Sequence, residues 1–222
     1  MTAELFQALQ RQMVEIINLH AQDVREQIGK DGLDTQVLDV MGRVPRHAFV
    51  PLEITPYAYL DQPLPIGYEK TISQPFIVAL MTHLLDLQPN DTVLEVGTGL
   101  GYHTAILSEL VAAVYSVEIV EELGEQARKR LQAAGFANIT VRIGNGERGW
   151  AEHAPFDKIL VCAAPEMIPV TLLNQLKPGG RMVLPVGFAD DQKLLLAEKN
   201  AGGRLSTREI LPVRFATLES GN

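Results

Sequence analysis

The chain changes character where the spacing of its apolar positions changes. Through residues 4–28, Leu5, Leu9, Val14, Ile17 and Val24 recur at roughly helical spacing among Gln, Glu and Arg, which predicts a helix. Gly29 to Gly32 interrupts it, and the pattern resumes in TQVLDVMGRV. There Val37, Leu38 and Met41 can share a face, and Asp34 can cap the first turn. Pro45 closes that segment. From Pro45 to Pro75 the chain is proline-rich and aperiodic, a long connection of the kind that is disproportionately functional. FIVALMTHLLDL then predicts a further helix, apolar enough to be largely buried.

After Pro89 and Asn90 the pattern becomes strand–helix alternation. TVLEV, AVYSVEI, NITVRI, FDKILVCA and GRMVLPV read as strands. GYHTAILSELV, EELGEQARKRLQAAG and IPVTLLNQLK read as the helices between them. This predicts an α/β fold, a doubly wound Rossmann-like and mostly parallel sheet. KLLLAEKN and LSTREILPVRF flank Gly202 and Gly203, predicting a hairpin that gives the sheet an antiparallel C-terminal edge. The expected organisation is a single domain over 1–222, with a helical, substrate-side segment at 1–88 and a cofactor-binding core at 89–222.

Composition narrows the function classes. A net charge of −8, from 27 acidic and 19 basic side chains without a long basic tract, argues against an indiscriminate nucleic-acid binder. No apolar run reaches the ~18 residues a membrane helix needs, and MTAELFQALQRQ lacks the features of a signal peptide. The single cysteine, Cys162, excludes an internal disulfide and a cysteine-rich zinc site, so a reducing intracellular compartment is expected. His20, His47, His83, His103 and His153 are dispersed without metal-ligand spacing, and no metal is expected.

The most informative segment is VLEVGTGLGYHTAIL, residues 93–107. A strand ends, and Gly97, Gly99 and Gly101 lead with Thr98 into a helix, a loop that lets backbone approach a ligand closely. Such a loop also opens dinucleotide sites. Glu95, however, sits where a carboxylate would repel a pyrophosphate and attract an ammonium group, and Glu118 ends the next strand where it can accept from ribose hydroxyls. In IGNGERGW, residues 143–150, Gly144 and Gly146 free the backbone and Asn145 offers an amide suited to the edge of a base. A simple Asn-Gly turn accounts for that segment equally well. His103 can line the pocket or serve structurally, Trp150 can shelter a base or merely pack, and Cys162 is most simply a small buried side chain.

VLEVGTGLGYHTA resembles the cofactor loop of class I S-adenosylmethionine-dependent methyltransferases. LPIGYEKTISQP (64–75), IGNGERGW (143–150), FDKILVCAAP (156–165) and LKPGGRMVLPVG (176–187) together resemble the protein-L-isoaspartate O-methyltransferase family, from about Val44 to Gly187. The resemblance implies a cytoplasmic, S-adenosylmethionine-dependent enzyme that uses no metal and acts on isoaspartyl-containing proteins or peptides; the composition adds the expectation of no nucleic-acid or membrane partner, and a monomer is expected. The resemblance places Glu95, Gly97, Gly99 and Gly101 around the methionine and ribose, Glu118 on the ribose, and Asn145 with Gly146 beside adenine; Thr98 within the loop and His103 at the start of its helix join them as cofactor-binding candidates by position alone. It places Ile72, Ser73 and Gln74 in the substrate-side loop, with Ser73 next to the transferring methyl as the catalytic residue. Three departures stand out: Asn145 where the family usually has Asp, VRFATL (213–218) where it usually has VRFVPL, and a longer N-terminal helix.

Overall fold

The computed structural model describes residues 1–220. Seven strands form one sheet: β3 (Thr92–Val96), β4 (Ala113–Glu118), β5 (Ile139–Ile143), β6 (Phe156–Val161), β7 (Leu176–Phe188), β8 (Asp191–Lys199) and β9 (Leu205–Val213). Their order is β5-β4-β3-β6-β7-β8-β9. The pairs among β5, β4, β3, β6 and β7 are parallel, while β7–β8 and β8–β9 are antiparallel. The Rossmann-like core and the antiparallel edge therefore stand as expected. Helices α5 (Tyr102–Ser108), α6 (Glu121–Ala133) and α7 (Val170–Gln175) follow β3, β4 and β6. The last is shorter than IPVTLLNQLK suggests, because Leu176 already belongs to β7.

Alternation along the strands sorts side chains onto two faces. Val93 enters one apolar cluster with Ala105, Ile106 and Leu107 of α5, while Leu94 and Val96 enter a second with Trp150 and Leu172. Trp150 is a packing residue there, its ring beneath the Arg142 guanidinium 4.3 Å away.

The N-terminal helices cover the first cluster. α1 (Ala3–Asp23) stops at Val24, and a short α2 (Arg25–Ile28) ends on left-handed Gly29, so the expected single helix is two. Its buried stripe is Gln10, Met13, Ile17 and Ala21, whereas Leu5 is exposed. Gln10 faces inward because its amide donates to the Met41 and Val44 carbonyls, closing the C-terminus of α3 (Thr35–Met41). Asp34 caps α3 by accepting from the Gln36 N–H at 2.9 Å. α4 (Pro75–Leu85) is buried along almost its whole length and packs on α1, α3 and β7.

The connection from Pro45 to Pro75 is more ordered than an aperiodic loop. It holds 3-10 turns at Arg46–Phe49 and Leu52–Tyr57, then an antiparallel hairpin of β1 (Leu64–Gly67) and β2 (Lys70–Ile72). Tyr68 and Glu69 make its tip with φ of 53° and 57°. A two-residue turn of this hand is usually written with Asn or Gly, which explains why the sequence conceals it.

Candidate functional site

A cleft of about 670 Å³ opens at the carboxyl ends of the parallel strands, where the connections leave β3 in opposite directions. Open α/β sheets bind ligands at such a switch point. Val96 ends β3 and Gly97 follows it, Val117 and Glu118 end β4 and Ile119 follows it, Gly146 follows β5, and Cys162 and Ala163 follow β6. Backbone bonds hold these ends together: Gly97 N–H donates to Val117, Gly144 N–H to Glu118, and Cys162 N–H to Val96.

Gly97 turns sharply at φ 95°, and a Cβ there would lie 3.3 Å from the Cys162 Cβ. Gly146 is required by proximity, since a Cβ would come 2.3 Å from Val96 Cγ1. Gly97, Gly99 and Gly146 line the cleft, whereas Gly101 is the N-cap of α5 and abuts Leu131 beneath the loop.

Glu118 lines the cleft and also holds its wall. One carboxylate oxygen accepts from Gly99 N–H at 2.7 Å and the other from Val120 N–H at 3.0 Å. Burial raises its pKa and these backbone donors oppose the shift. Each oxygen keeps a further lone pair for an incoming hydroxyl.

Glu95 lies below the cleft floor. It shares the Val93 face of β3, pairs in register with Ser116, and is fully buried. Thr104 and Ser116 hydroxyls both donate to one oxygen at 2.5 Å, while the other buried oxygen has no hydrogen-bond partner. Burial pushes its pKa up to about 7, against the lowering effect of those hydroxyls. Thr98 Oγ1 meets Ser116 Oγ at 2.6 Å and faces a smaller inner cavity rather than the cleft.

His103 also borders the inner cavity. The Thr82 hydroxyl donates to the Val78 carbonyl at 2.7 Å, so it accepts from the His103 Nε2–H at 2.9 Å. This leaves Nδ1 unprotonated, 3.7 Å from Cys162 Sγ. Burial lowers the imidazole pKa to about 3 and raises that of the thiol. The donor atoms of Glu95, His103 and Cys162 lie within 4.8 Å of one another, a neighbourhood invisible in their sequence spacing. Asn145 caps the turn at Gly146–Arg148, its side-chain oxygen accepting from Glu147 N–H at 2.9 Å.

Two walls come from outside the glycine loop. Ile66, Lys70, Thr71 and Ser73 of the β1–β2 hairpin and its exit form one. The other is the segment from Phe215 to Glu219. It is held down by Ala164, whose N–H donates to Ala216 and whose carbonyl accepts from Leu218, both at 2.8 Å. A Lys70–Glu219 ion pair joins the two walls. Beside them an open groove of about 980 Å³ runs between Pro63, Phe76 and the Leu211–Phe215 stretch. Thr71 and Ser73 line the cleft, the groove and the inner cavity together.

The family described as Protein-L-isoaspartate(D-aspartate) O-methyltransferase (PCMT) matches residues 19–222. Protein-L-isoaspartate O-methyltransferase 1 of Polaromonas sp. (strain JS666) is 57% identical over 219 residues, covering 99% of this chain and 93% of the relative. A homologue from Syntrophobacter fumaroxidans, named Protein-L-isoaspartate O-methyltransferase 2, is 54% identical over 97% of this chain and 87% of its own. Among solved structures, a protein-L-isoaspartate O-methyltransferase superposes with a TM-score of 0.81 at 27% identity, over 95% of this chain and 66% of that one. A Plasmodium falciparum chain solved with S-adenosyl-L-homocysteine shares the fold at a TM-score of 0.75 and 22% identity, over 96% of this chain and 97% of its own. A glycine-lined cleft at the switch point, a strand-end glutamate facing it and a near full-length match agree: the chain belongs to the protein-L-isoaspartate O-methyltransferase family.

Proposed function

We propose that the chain transfers a methyl group from S-adenosylmethionine to the α-carboxylate of L-isoaspartyl residues in proteins or peptides, with the cofactor in the 670 Å³ cleft and the peptide in the adjoining groove. The observation that carries this arrangement is Ser73, which lines both spaces. The residues present fit the cofactor. Glu118 presents two acceptors to the ribose hydroxyls, and Gly146 leaves room beside the base. The unpartnered Glu95 oxygen offers a negative group beneath the glycine loop for an ammonium. Thr98, Gly101 and His103 support the loop from behind, and Asn145 holds Gly146 in place. Residues 1–88 supply the hairpin side of the groove and 89–222 the cofactor-binding core of one domain, with Leu211–Phe215 as the far side of the groove.

Bound there, S-adenosylmethionine supplies an electrophilic methyl on a sulfonium and is released as S-adenosylhomocysteine. The acceptor needs little activation, because a carboxylic acid of pKa ~4 is already ionised at neutral pH. The protein must therefore align the carboxylate and exclude water. Ser73 donates a hydrogen bond that orients the attacking carboxylate and is not itself a nucleophile. The exposed edge of β9 suits an extended peptide held through its main chain, which tolerates varied neighbouring side chains.

An isoaspartyl residue carries an extra methylene in its backbone, which displaces the carboxylate relative to an aspartyl residue. An error of ~1 Å can cost about a hundredfold in rate. One assay decides the reading: an isoaspartyl peptide against its aspartyl isomer, with the methyl mapped by mass spectrometry. Saturable methylation of the isoaspartyl peptide alone is expected; cofactor binding with no turnover of several isoaspartyl sequences would overturn it. No helix among the described residues is long and apolar enough to cross a membrane. A monomer working in the cytoplasm, independent of nucleic acid and membrane, completes the proposal.

A further inference from the structure

Arg46 is a fully buried cation outside the site described above. Its Nε donates to the Ala58 carbonyl at 2.8 Å and its Nη2 to the Ser73 carbonyl at 2.6 Å. The guanidinium carbon lies 4.9 Å from the ring centroid of Tyr102, the first residue of the helix after the glycine loop. One side chain thus touches the substrate-side loop and the base of the cofactor loop.

This is a costly way to fill space. Among the described residues Arg46 makes no ion pair within 4.0 Å, and its Nη1 is buried without a hydrogen-bond partner. Burial lowers its pKa to about 10, still well above neutrality, so the charge remains. An apolar side chain of similar volume would avoid the desolvation penalty. What an apolar residue cannot do is hold a carbonyl in a fixed direction, and a planar guanidinium holds two.

We propose that Arg46 is a positioning residue for methyl transfer, fixing Ser73 through its main-chain carbonyl so that the hydroxyl stands where cleft and groove meet. Asp61 steadies the same loop. It accepts from Phe76 N–H at 2.8 Å and from Gln74 Nε2 at 2.9 Å, and is itself met by His20 Nδ1 at 2.7 Å. Because Ser73 Cβ follows from the backbone on either side of it, a carbonyl free to rotate leaves the hydroxyl free to miss the acceptor.

The inference rests on the role proposed for Ser73, and a double-mutant cycle separates the two. Arg46→Lys keeps a cation but loses the fixed fork; kcat on an isoaspartyl peptide should fall about tenfold, in keeping with a sub-ångström displacement. Affinity for S-adenosylhomocysteine should be unchanged. The Arg46→Lys/Ser73→Ala double variant should be no slower than Ser73→Ala alone, because Arg46 acts only through that hydroxyl. Should thermal melting show that Arg46→Lys does not fold, Arg46→Met enters the same cycle with the same expectation. Multiplicative losses in kcat, or an equal loss of S-adenosylhomocysteine affinity, would overturn the positioning role while leaving Ser73 in place. A Ser73→Ala variant with undiminished kcat would remove the Ser73 role and this inference with it.

Discussion

Glu118 and Gly99 are joined by a 2.7 Å hydrogen bond from the glycine's N–H to the carboxylate, so the residue that faces the ribose position also shapes the loop around it. Binding and architecture are therefore coupled in one side chain. Glu118→Ala should weaken both S-adenosylmethionine and S-adenosylhomocysteine by about 1–3 kcal/mol, the cost of leaving buried donors without an acceptor. Calorimetry on the purified variant measures this directly, and unchanged affinity would remove Glu118 from the site.

Gly144 and Gly146 look equivalent in IGNGERGW, but their surroundings differ. A Cβ at Gly144 would meet nothing within 4 Å, whereas one at Gly146 would meet Val96 Cγ1 at 2.3 Å. Gly146→Ala should therefore destabilise the fold by about 1–3 kcal/mol and weaken cofactor binding, the usual outcome of overpacking. Gly144→Ala should do neither. Denaturant melts of the two variants, side by side, test the contrast.

Glu95 makes stability depend on pH in a definite direction. Its folded pKa of about 7 lies above the ordinary glutamate value of 4.5, so between those values the folded protein holds a proton that the unfolded chain has lost. Stability must then fall as pH rises through that window. Glu95→Gln should flatten this part of the curve, and the difference between the two melting profiles isolates Glu95 from other titrating groups. The same substitution should weaken S-adenosylmethionine binding at pH 8, where the native carboxylate is charged. Identical pH profiles for the two proteins would show that Glu95 does not titrate in this range.

Asn145 departs from the aspartate usual in the family, yet its structural task suits either side chain. Its side-chain oxygen accepts from Glu147 N–H, and Asp and Asn are nearly interchangeable as such caps. Asn145→Asp should keep S-adenosylhomocysteine affinity within about tenfold, or ~1.4 kcal/mol. A gain well beyond that range would mark Asn145 as an impaired cofactor ligand.

The sequence by itself determined the alternation of strands and helices after residue 89, the Gly97–Gly101 loop and the acidic ends of two adjacent strands. These are local signals: apolar period, turn residues and the residue types that end a strand. Tertiary structure decided where those residues face. Glu95 and Glu118 look alike as strand-end carboxylates, but alternation on β3 sends Glu95 beneath α5, while Glu118 opens to the cleft. The hairpin escaped detection because its turn is Tyr68–Glu69 rather than an Asn-Gly pair. The cover formed by Phe215–Glu219 depends on pairing with Ala164, and Arg46 depends on carbonyls 12 and 27 residues away. Contacts of that range leave no periodic trace in a single chain, because only packing brings their partners together.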